Sequence, residues 1–362
     1  MFEPFLSTSQ QPCILVDYSH CHRYVTGLER IALEQFSNDS LAPLPLKHIH
    51  ARSRISMLWE QNIHLPFLLA RNPNYLLLCP GFPPGLLTHS FSDRVIPYIH
   101  DVFPLTRQAE LRLRARLYIG SLLRLALSRF PLLMVNSLTT AHDIKPFCPP
   151  QSEVMIYRPE VRNIFKVDPA SAPRDSLVGD ELRLLALGTI EPRKNLLSAA
   201  KLLQAIRAHY FPQARLDIVG RIGWGEDAKK LKSFPGVFVH GYQDEESVRH
   251  FLYQSHALIN TSHAEGLGLP LLEVQHSGLL VIARDLPIFR EVLGTSGVFI
   301  DIENIAQSAE KIAAVFKLGD FLSASSRAVE NVQRWNELAR GDRQAILLRL
   351  SHLLNERGQP SC

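Results

Sequence analysis

Two carboxylates eight positions apart, Glu265 and Glu273, bracket a glycine-rich loop in the stretch EGLGLPLLE. The first stands directly before Gly266, Leu267 and Gly268. The second falls inside the apolar run 269–274, which reads as helix. Glycines let a backbone approach a ligand closely, and a helix start behind them turns N–H donors toward an anion or a hydroxyl. One acid then sits beside a ligand held by the loop. The other, about two helical turns further on, reaches a different part of the same ligand. An elongated molecule with hydroxyls at both ends suits this layout, and a nucleotide sugar is one.

A second constellation, GTIEPRKN at 188–195, directly follows the strand-like RLLAL. Arg193 and Lys194 stand side by side where a helix is expected to begin, so a diphosphate there would gain from both cations and from the helix dipole. Arginine offers a two-pronged fork and lysine a point charge, a pair able to neutralise a leaving pyrophosphate. Taken alone, the same residues also read as a solvated turn; with Glu265 and Glu273 in the same half, phosphate binding is the better reading. The first half is quieter. Gly27 opens a helix-like run after the first strand, where it either admits a substrate to the backbone or simply marks a helix entry. His100 and Asp101 end the strand VIPYI, the edge at which active-site residues gather in open α/β sheets. His100 either bonds a sugar hydroxyl or phosphate oxygen, or is a buried histidine satisfied by backbone.

Several chemistries are not expected. GRIGWG at 220–225 lacks the spacing of a dinucleotide fingerprint, and there is no phosphate-loop, nucleophile-elbow or H-E-x-x-H motif. Fifteen histidines include the pairs His20/His22 and His48/His50, but carboxylates do not accompany them at ligand spacing, so no metal is expected. The five cysteines are scattered, form no C-x-x-C pair and suit a reducing compartment. A net charge of +4 is too mild to call for nucleic acid. The N-terminal MFEPFLSTSQQP is not expected to act as a signal peptide, nor does any window read as membrane-spanning. The basic stretch 107–130, with six arginines and one acid, has two readings: a helix lying on an anionic membrane surface, or a surface helix packed on its own domain.

These residues must be positioned by a larger frame. Short apolar runs alternate with helical stretches in both halves. Strands are expected at 13–17, 75–79, 95–99 and 132–135, then at 182–187, 215–219, 237–239, 257–260, 279–283 and 297–300. Helices fit at 28–36, 196–209, 245–255 and 305–315, with a last one at 340–354. The alternation indicates α/β architecture, parallel sheets with helices on both faces. The segment 159–180, rich in Pro, Ala, Ser and Asp, reads as the join. The expected division is 1–165, 166–335 and a C-terminal helix at 336–362 returning to the first domain.

Five segments in order, TGLER, HDVFPL, GTIEPRKN, VGRIGWG and the long block from HGYQDEES to FREVLG, resemble the retaining glycosyltransferases of family 4. The block carrying Glu265, Glu273, Gly278 and Asp285 is the most specific, and the resemblance in 188–195 and in GRIGWG at 220–225 leans toward bacterial surface-polysaccharide enzymes that transfer mannose or similar hexoses. The resemblance implies a GT-B fold: two doubly wound Rossmann-like domains facing a cleft. It implies that Glu273 binds the ribose, that Glu265 contacts the sugar near the reacting carbon, and that the backbone around Gly266, Leu267 and Gly268 lines sugar and phosphate. Arg193 and Lys194 would hold the diphosphate, His100 would face the donor sugar, Gly27 would lie near phosphates or acceptor, and the base would rest near Gly241. The implied activity is metal-independent transfer of a mannose-like hexose from a GDP- or UDP-sugar to a saccharide or lipid-linked acceptor in surface polysaccharide or lipopolysaccharide synthesis. No cofactor is implied. The expected location is cytoplasmic, peripheral to the inner face of the plasma membrane. A non-catalytic nucleotide-sugar-binding subunit and a nucleotide-sugar epimerase stay open as alternatives. Thr189 departs from the arginine common after the first glycine of the phosphate motif, so Arg193 has to supply that charge. His276, Ser277, Leu279 and Leu280 also depart from the usual small residues around Gly278.

Overall fold

The computed structural model describes residues 11–21, 27–107, 113–169, 181–318 and 321–358. The chain divides into two compact units, Met1–Pro159 with Leu338–Cys362, and Glu160–Glu337.

The first unit is built on a parallel sheet of β1 (Cys13–Tyr18), β2 (Leu46–His50), β3 (Tyr75–Cys79), β4 (Val95–Ile99), β5 (Leu132–Val135) and β6 (Glu153–Ile156). Their spatial order is β2-β1-β3-β4-β5-β6. The second unit repeats the plan with β7 (Arg183–Leu187), β8 (Arg215–Val219), β9 (Val237–Gly241), β10 (Ala257–Asn260), β11 (Leu280–Arg284) and β12 (Gly297–Ile300), in the order β12-β11-β10-β7-β8-β9. Every neighbouring pair is parallel. Central strands covered on both faces read as unbroken apolar runs, and Leu184, Leu185 and Ala186 of β7 are fully enclosed accordingly. The helix Leu196–His209 buries Leu196, Ala199, Ala200, Leu203 and Ile206, a spacing that keeps one stripe on the sheet. The helix Glu245–Gln254 starts where the Asp244 carboxylate accepts from the Ser247 N–H at 2.9 Å.

Two strands absent from the sequence expectation, β2 and β6, are sheet edges. Most of their residues are only partly covered; β2 (LKHIH) mixes polar and apolar residues, and β6 (EVMI) offers only the short apolar run Val154, Met155 and Ile156. His48 and His50 lie in β2, where His48 stacks on Tyr18 at 4.7 Å, a packing role. The last helix is much longer than expected, Phe321–Gly358. Its C-terminal part ties to the first unit through Arg158–Asp342 at 2.7 Å and Arg349–Glu153 at 2.7 Å. The expected join also differs: 160–169 is built into the second unit. There Val161 N–H bonds Asn336 Oδ1 at 2.8 Å and Arg249 Nε donates to Phe165 O at 2.7 Å. The rest of that segment, 170–180, lies outside the described residues.

Within the basic stretch 107–130, the helix Leu113–Arg129 turns Leu123, Ala126 and Leu127 into the first unit's core, with Phe130 just beyond it. Leu122 is buried with them, whereas Leu125 is exposed. No helix among the described residues is long and apolar enough to cross a membrane.

Candidate functional site

In the second unit the strand order reverses between β7 and β10, which are hydrogen-bonded neighbours although 70-odd residues separate them in the chain. Loops leaving such a pair diverge to opposite sides, and the crevice between them is where open α/β sheets bind ligands. The loop after β7 is 188–195, and the loop after β10 is 261–268. Both sequence constellations therefore meet at one point.

Arg193 and Lys194 are not in the first turn of the α-helix, as their spacing had suggested. They form a separate 3₁₀ turn, Pro192–Lys194, and Asn195 in the left-handed region (φ +48°) resets the chain before the helix begins at Leu196. The detour brings both cations onto one carboxylate. Lys194 Nζ lies 2.6 Å from Glu265 Oε1, and Arg193 Nη1 lies 2.9 Å from Glu265 Oε2. Ser262 Oγ donates to the same Oε1 at 2.8 Å. Arg193 also pairs with Glu191 at 2.9 Å and donates to Ala264 O at 2.8 Å. Two more hydrogen bonds stitch the loops together: His263 N–H to Arg193 O at 2.8 Å, and the Thr261 hydroxyl Oγ1 to Asn195 O at 2.9 Å. Burial pushes the Glu265 carboxyl up, but the charges of Lys194 and Arg193, with hydrogen bonds from Lys194 and Ser262, outweigh it and hold the group below the usual carboxylate range. Glu265 is thus an anion at neutral pH, fit to accept hydrogen bonds and to stabilise positive charge.

Glycines shape the crevice floor. A Cβ on Gly220 would meet Gly188 O at 1.8 Å, so the ends of β7 and β8 approach as closely as only glycine permits. Gly268 caps the helix Leu269–Gln275 at φ +86°, a conformation costly for other residues. Gly188, Lys194, Ser262, Glu265 and Gly268 line a cavity of about 20 Å³, room for about one water. Glu273 lies on the short helix, is only 5% exposed and does not line that cavity. Because Glu265 is in the loop and not on the helix, a loop and about one helical turn separate the two acids, where two helical turns were expected. Gly266 and Leu267 continue the same loop, Leu267 buried. Gly241 ends β9 with nothing within 4 Å of its missing side chain. Beside it, exposed Tyr242 carries the Arg221 guanidinium 4.9 Å over its ring.

In the first unit His100 follows β4, half-buried. Its Nε2 donates to Pro80 O at 2.7 Å, and Asn136 Nδ2 donates to His100 O at 2.8 Å. Burial lowers its pKa to about 4, against the opposing pull of the Pro80 bond. The ring is then neutral, with Nδ1 as its acceptor, suited to a hydroxyl donor and not to a phosphate oxygen. Asp101 is engaged locally, accepting from Phe103 N–H at 3.0 Å. His100, Tyr98, Phe82, Phe103 and Leu123 are among the residues lining a mainly apolar cavity of about 230 Å³. Gly27 is exposed at its helix start, with open space where a side chain would be; the preceding 22–26 lie outside the described residues. Among the described residues no cluster of three potential metal ligands occurs, and Cys13, Cys21, Cys79 and Cys148 are free thiols.

The sequence reading missed three participants: Ser262, Glu191 and Asn195. Only Asn195 carried a local signal, an asparagine directly after two cations at a turn, where left-handed backbone is tolerated.

Two doubly wound parallel domains, the second with cations and an acid gathered at its switch point, define a GT-B protein. Residues 170–335 match the family described as glycosyl transferases group 1. The serotype-specific mannosyltransferase WbdA of Escherichia coli is 33% identical over 146 residues, a span covering 37% of this chain and 17% of WbdA. The O-antigen chain mannosyltransferase B of the same species is 30% identical over 129 residues, covering 33% of each chain. Among solved structures, sucrose-phosphate synthase from Thermosynechococcus elongatus superposes with a TM-score of 0.71 at 14% identity, covering 96% of this chain and 99% of that one. Anabaena HepE in complex with UDP and glucose gives a TM-score of 0.64 at 14% identity, covering 94% and 100%. At such identities the structural likeness speaks to the fold.

Proposed function

We propose that this chain is a retaining glycosyltransferase. It moves a mannose-like hexose from a GDP- or UDP-sugar to a hydroxyl of a saccharide or lipid-linked acceptor, in the assembly of a surface polysaccharide or lipopolysaccharide. The observation that carries the proposal is the convergence of Lys194 and Arg193 on Glu265 at the β7/β10 switch point of the unit whose residues 170–335 match glycosyl transferases group 1. The mannosyltransferases WbdA and O-antigen chain mannosyltransferase B support the sugar class.

In this reading the two cations take the donor's diphosphate and stabilise the charge that develops as it leaves, work done elsewhere by a divalent metal. The acceptor oxygen bonds to the anomeric carbon on the face from which the carbon–phosphate oxygen bond breaks. The breaking bond's electron pair stays with the diphosphate, and a phosphate oxygen takes the acceptor's proton. No side chain serves as nucleophile. Glu265, anionic and anchored by Ser262, steadies the positive character of the sugar carbon and accepts from its hydroxyls. Glu273 takes the ribose hydroxyls, the 266–268 loop lines the sugar, and the base lies by Gly241, where the Arg221–Tyr242 pair offers a flat face. His100 receives a hydroxyl through Nδ1. The apolar cavity beside it fits an acceptor with a hydrophobic portion.

The test has two arms. Thermal-shift measurements with uridine, guanosine and thymidine diphosphate sugars identify the donor, since a ligand that binds the native state raises the melting midpoint. Donor turnover with cell-derived acceptors is then expected from the wild type and not from folded Glu265→Ala or Lys194→Ala variants. Undiminished turnover in both variants would refute the assignment. Conversion of the donor alone to an isomeric sugar nucleotide would mark an epimerase.

A further inference from the structure

The helical segment Arg54–Trp59, Glu60–His64 and Leu65–Arg71 in the first unit is apolar on two sides. One side is anchored: Leu65 and Leu69 enter the core, and Gln61 Nε2 donates to Asp17 Oδ2 at 3.0 Å. The other side presents Ile55 at 82% exposure, Trp59 at 48%, Ile63 at 55% and Phe67 at 51%. These four recur every four residues. In a plain α-helix such a row drifts about 40° per step. The middle turn, Glu60–His64, is a π-helix whose wider winding reduces that drift and keeps the row on one line. The turn after Gly85 adds Leu86 and Leu87, 59% and 58% exposed. Leu86 N–H bonds Asn62 Oδ1 at 3.3 Å, which seats this turn against the π segment.

Charge selects the occupant. Arg52, Arg54 and Arg71 are exposed around the row, and Arg71 reaches over the Phe67 ring at 4.8 Å. Glu60 is the one acid in residues 51–71, and it is paired with His64 at 2.5 Å. A second copy of the face would set arginine against arginine with no carboxylate to spare. The row is a convex ridge of a helix and not a recess, so it inserts better than it receives. An apolar ridge containing Trp and Phe and rimmed by arginines whose stems can bend toward headgroups is the pattern of a helix lying in a lipid interface.

We propose that the ridge Ile55–Trp59–Ile63–Phe67, with Leu86 and Leu87, docks this protein on an anionic lipid bilayer. This moves the membrane contact away from 107–130, whose described apolar residues belong mostly to the core.

Co-sedimentation of the full chain with vesicles tests it, without donor or acceptor, so the result is independent of the transferase reading. Vesicles of equal parts phosphatidylcholine and phosphatidylglycerol should retain the wild type at low salt, and pure phosphatidylcholine should retain much less. Ile63→Ser with Phe67→Ser should lower partitioning at least about tenfold, because two large apolar side chains no longer leave water. Arg52→Glu with Arg54→Glu should also release the protein, while Arg124→Glu on Leu113–Arg129 should not. All these side chains are exposed, so unfolding midpoints should stay near the wild type's. Equal retention of the Ile63/Phe67 variant, or release by Arg124→Glu instead, overturns the proposal. So does a vesicle-free wild-type dimer in sedimentation velocity that the Ile63/Phe67 variant abolishes, because the face would then belong to a second copy.

Discussion

Replacing Glu265 by Gln keeps shape and hydrogen-bonding capacity but removes the charge on which two cations converge. The Glu265 side chain is 9% exposed, Lys194 16% and Arg193 25%, so water screens the three only weakly. Removing one member of a buried ion pair costs about 3–5 kcal/mol. Arg193 keeps Glu191 and Ala264 O, and both cations retain some access to solvent, which brings the expected loss to about 2–3 kcal/mol. For a unit the size of Glu160–Glu337, that corresponds to a melting midpoint lower by roughly 5–10 °C. Thermal and urea unfolding should show the loss. The decisive comparison is a double-mutant cycle. Lys194→Met alone leaves Glu265 with Arg193, and Lys194→Met with Glu265→Gln removes both charges. The double variant should be more stable than the summed single losses imply, by at least about 1 kcal/mol. Additivity within about 0.5 kcal/mol would mean that the 2.6 Å contact carries no coupling, and the electrostatic account of this crevice would fail.

Three further outcomes are expected. His100 has a folded pKa near 4, below its unfolded value; between about pH 6.5 and 4 the unfolded chain therefore binds the extra proton, and the stability His100 contributes at neutral pH drains away as pH falls through that window, by about 1–3 kcal/mol. His100→Gln, which can still donate to Pro80 O, should flatten that dependence in urea titrations between pH 7 and 4; an unchanged slope would contradict a buried neutral ring. Gly220→Ala should cost at least about 2 kcal/mol and weaken nucleotide-sugar binding in a thermal-shift assay, because its Cβ has to push Gly188 O from 1.8 Å and with it the 188–195 loop. Leu203→Ala, at a fully enclosed position under the second sheet, should cost about 3 kcal/mol in urea unfolding without altering the site's chemistry.

The sequence by itself determined the α/β alternation, because a strand covered on both faces must be a short unbroken apolar run and a helix covering it must repeat every three to four residues. Strands such as Tyr75–Cys79 and Ala257–Asn260, and the helix Leu196–His209, have those limits in the sequence as in the structure. It did not show β2, whose residues Leu46–His50 are mostly polar, and it passed over β6, although Val154, Met155 and Ile156 form a short apolar run like those by which the other two edge strands, β9 and β12, were expected. It marked Arg193, Lys194 and Glu265 as chemistry-bearing types but treated the cations and the acid as free hands for a ligand. Only the tertiary structure decided that they hold one another, at 2.6 and 2.9 Å, with Ser262 and Glu191 completing the set. That contact joins loops some 70 residues apart, and it exists because β7 and β10 pair as neighbours. Strand order is set by long-range hydrogen bonding and shared burial. Local periodicity records which way each side chain faces, but not which distant segment it will meet.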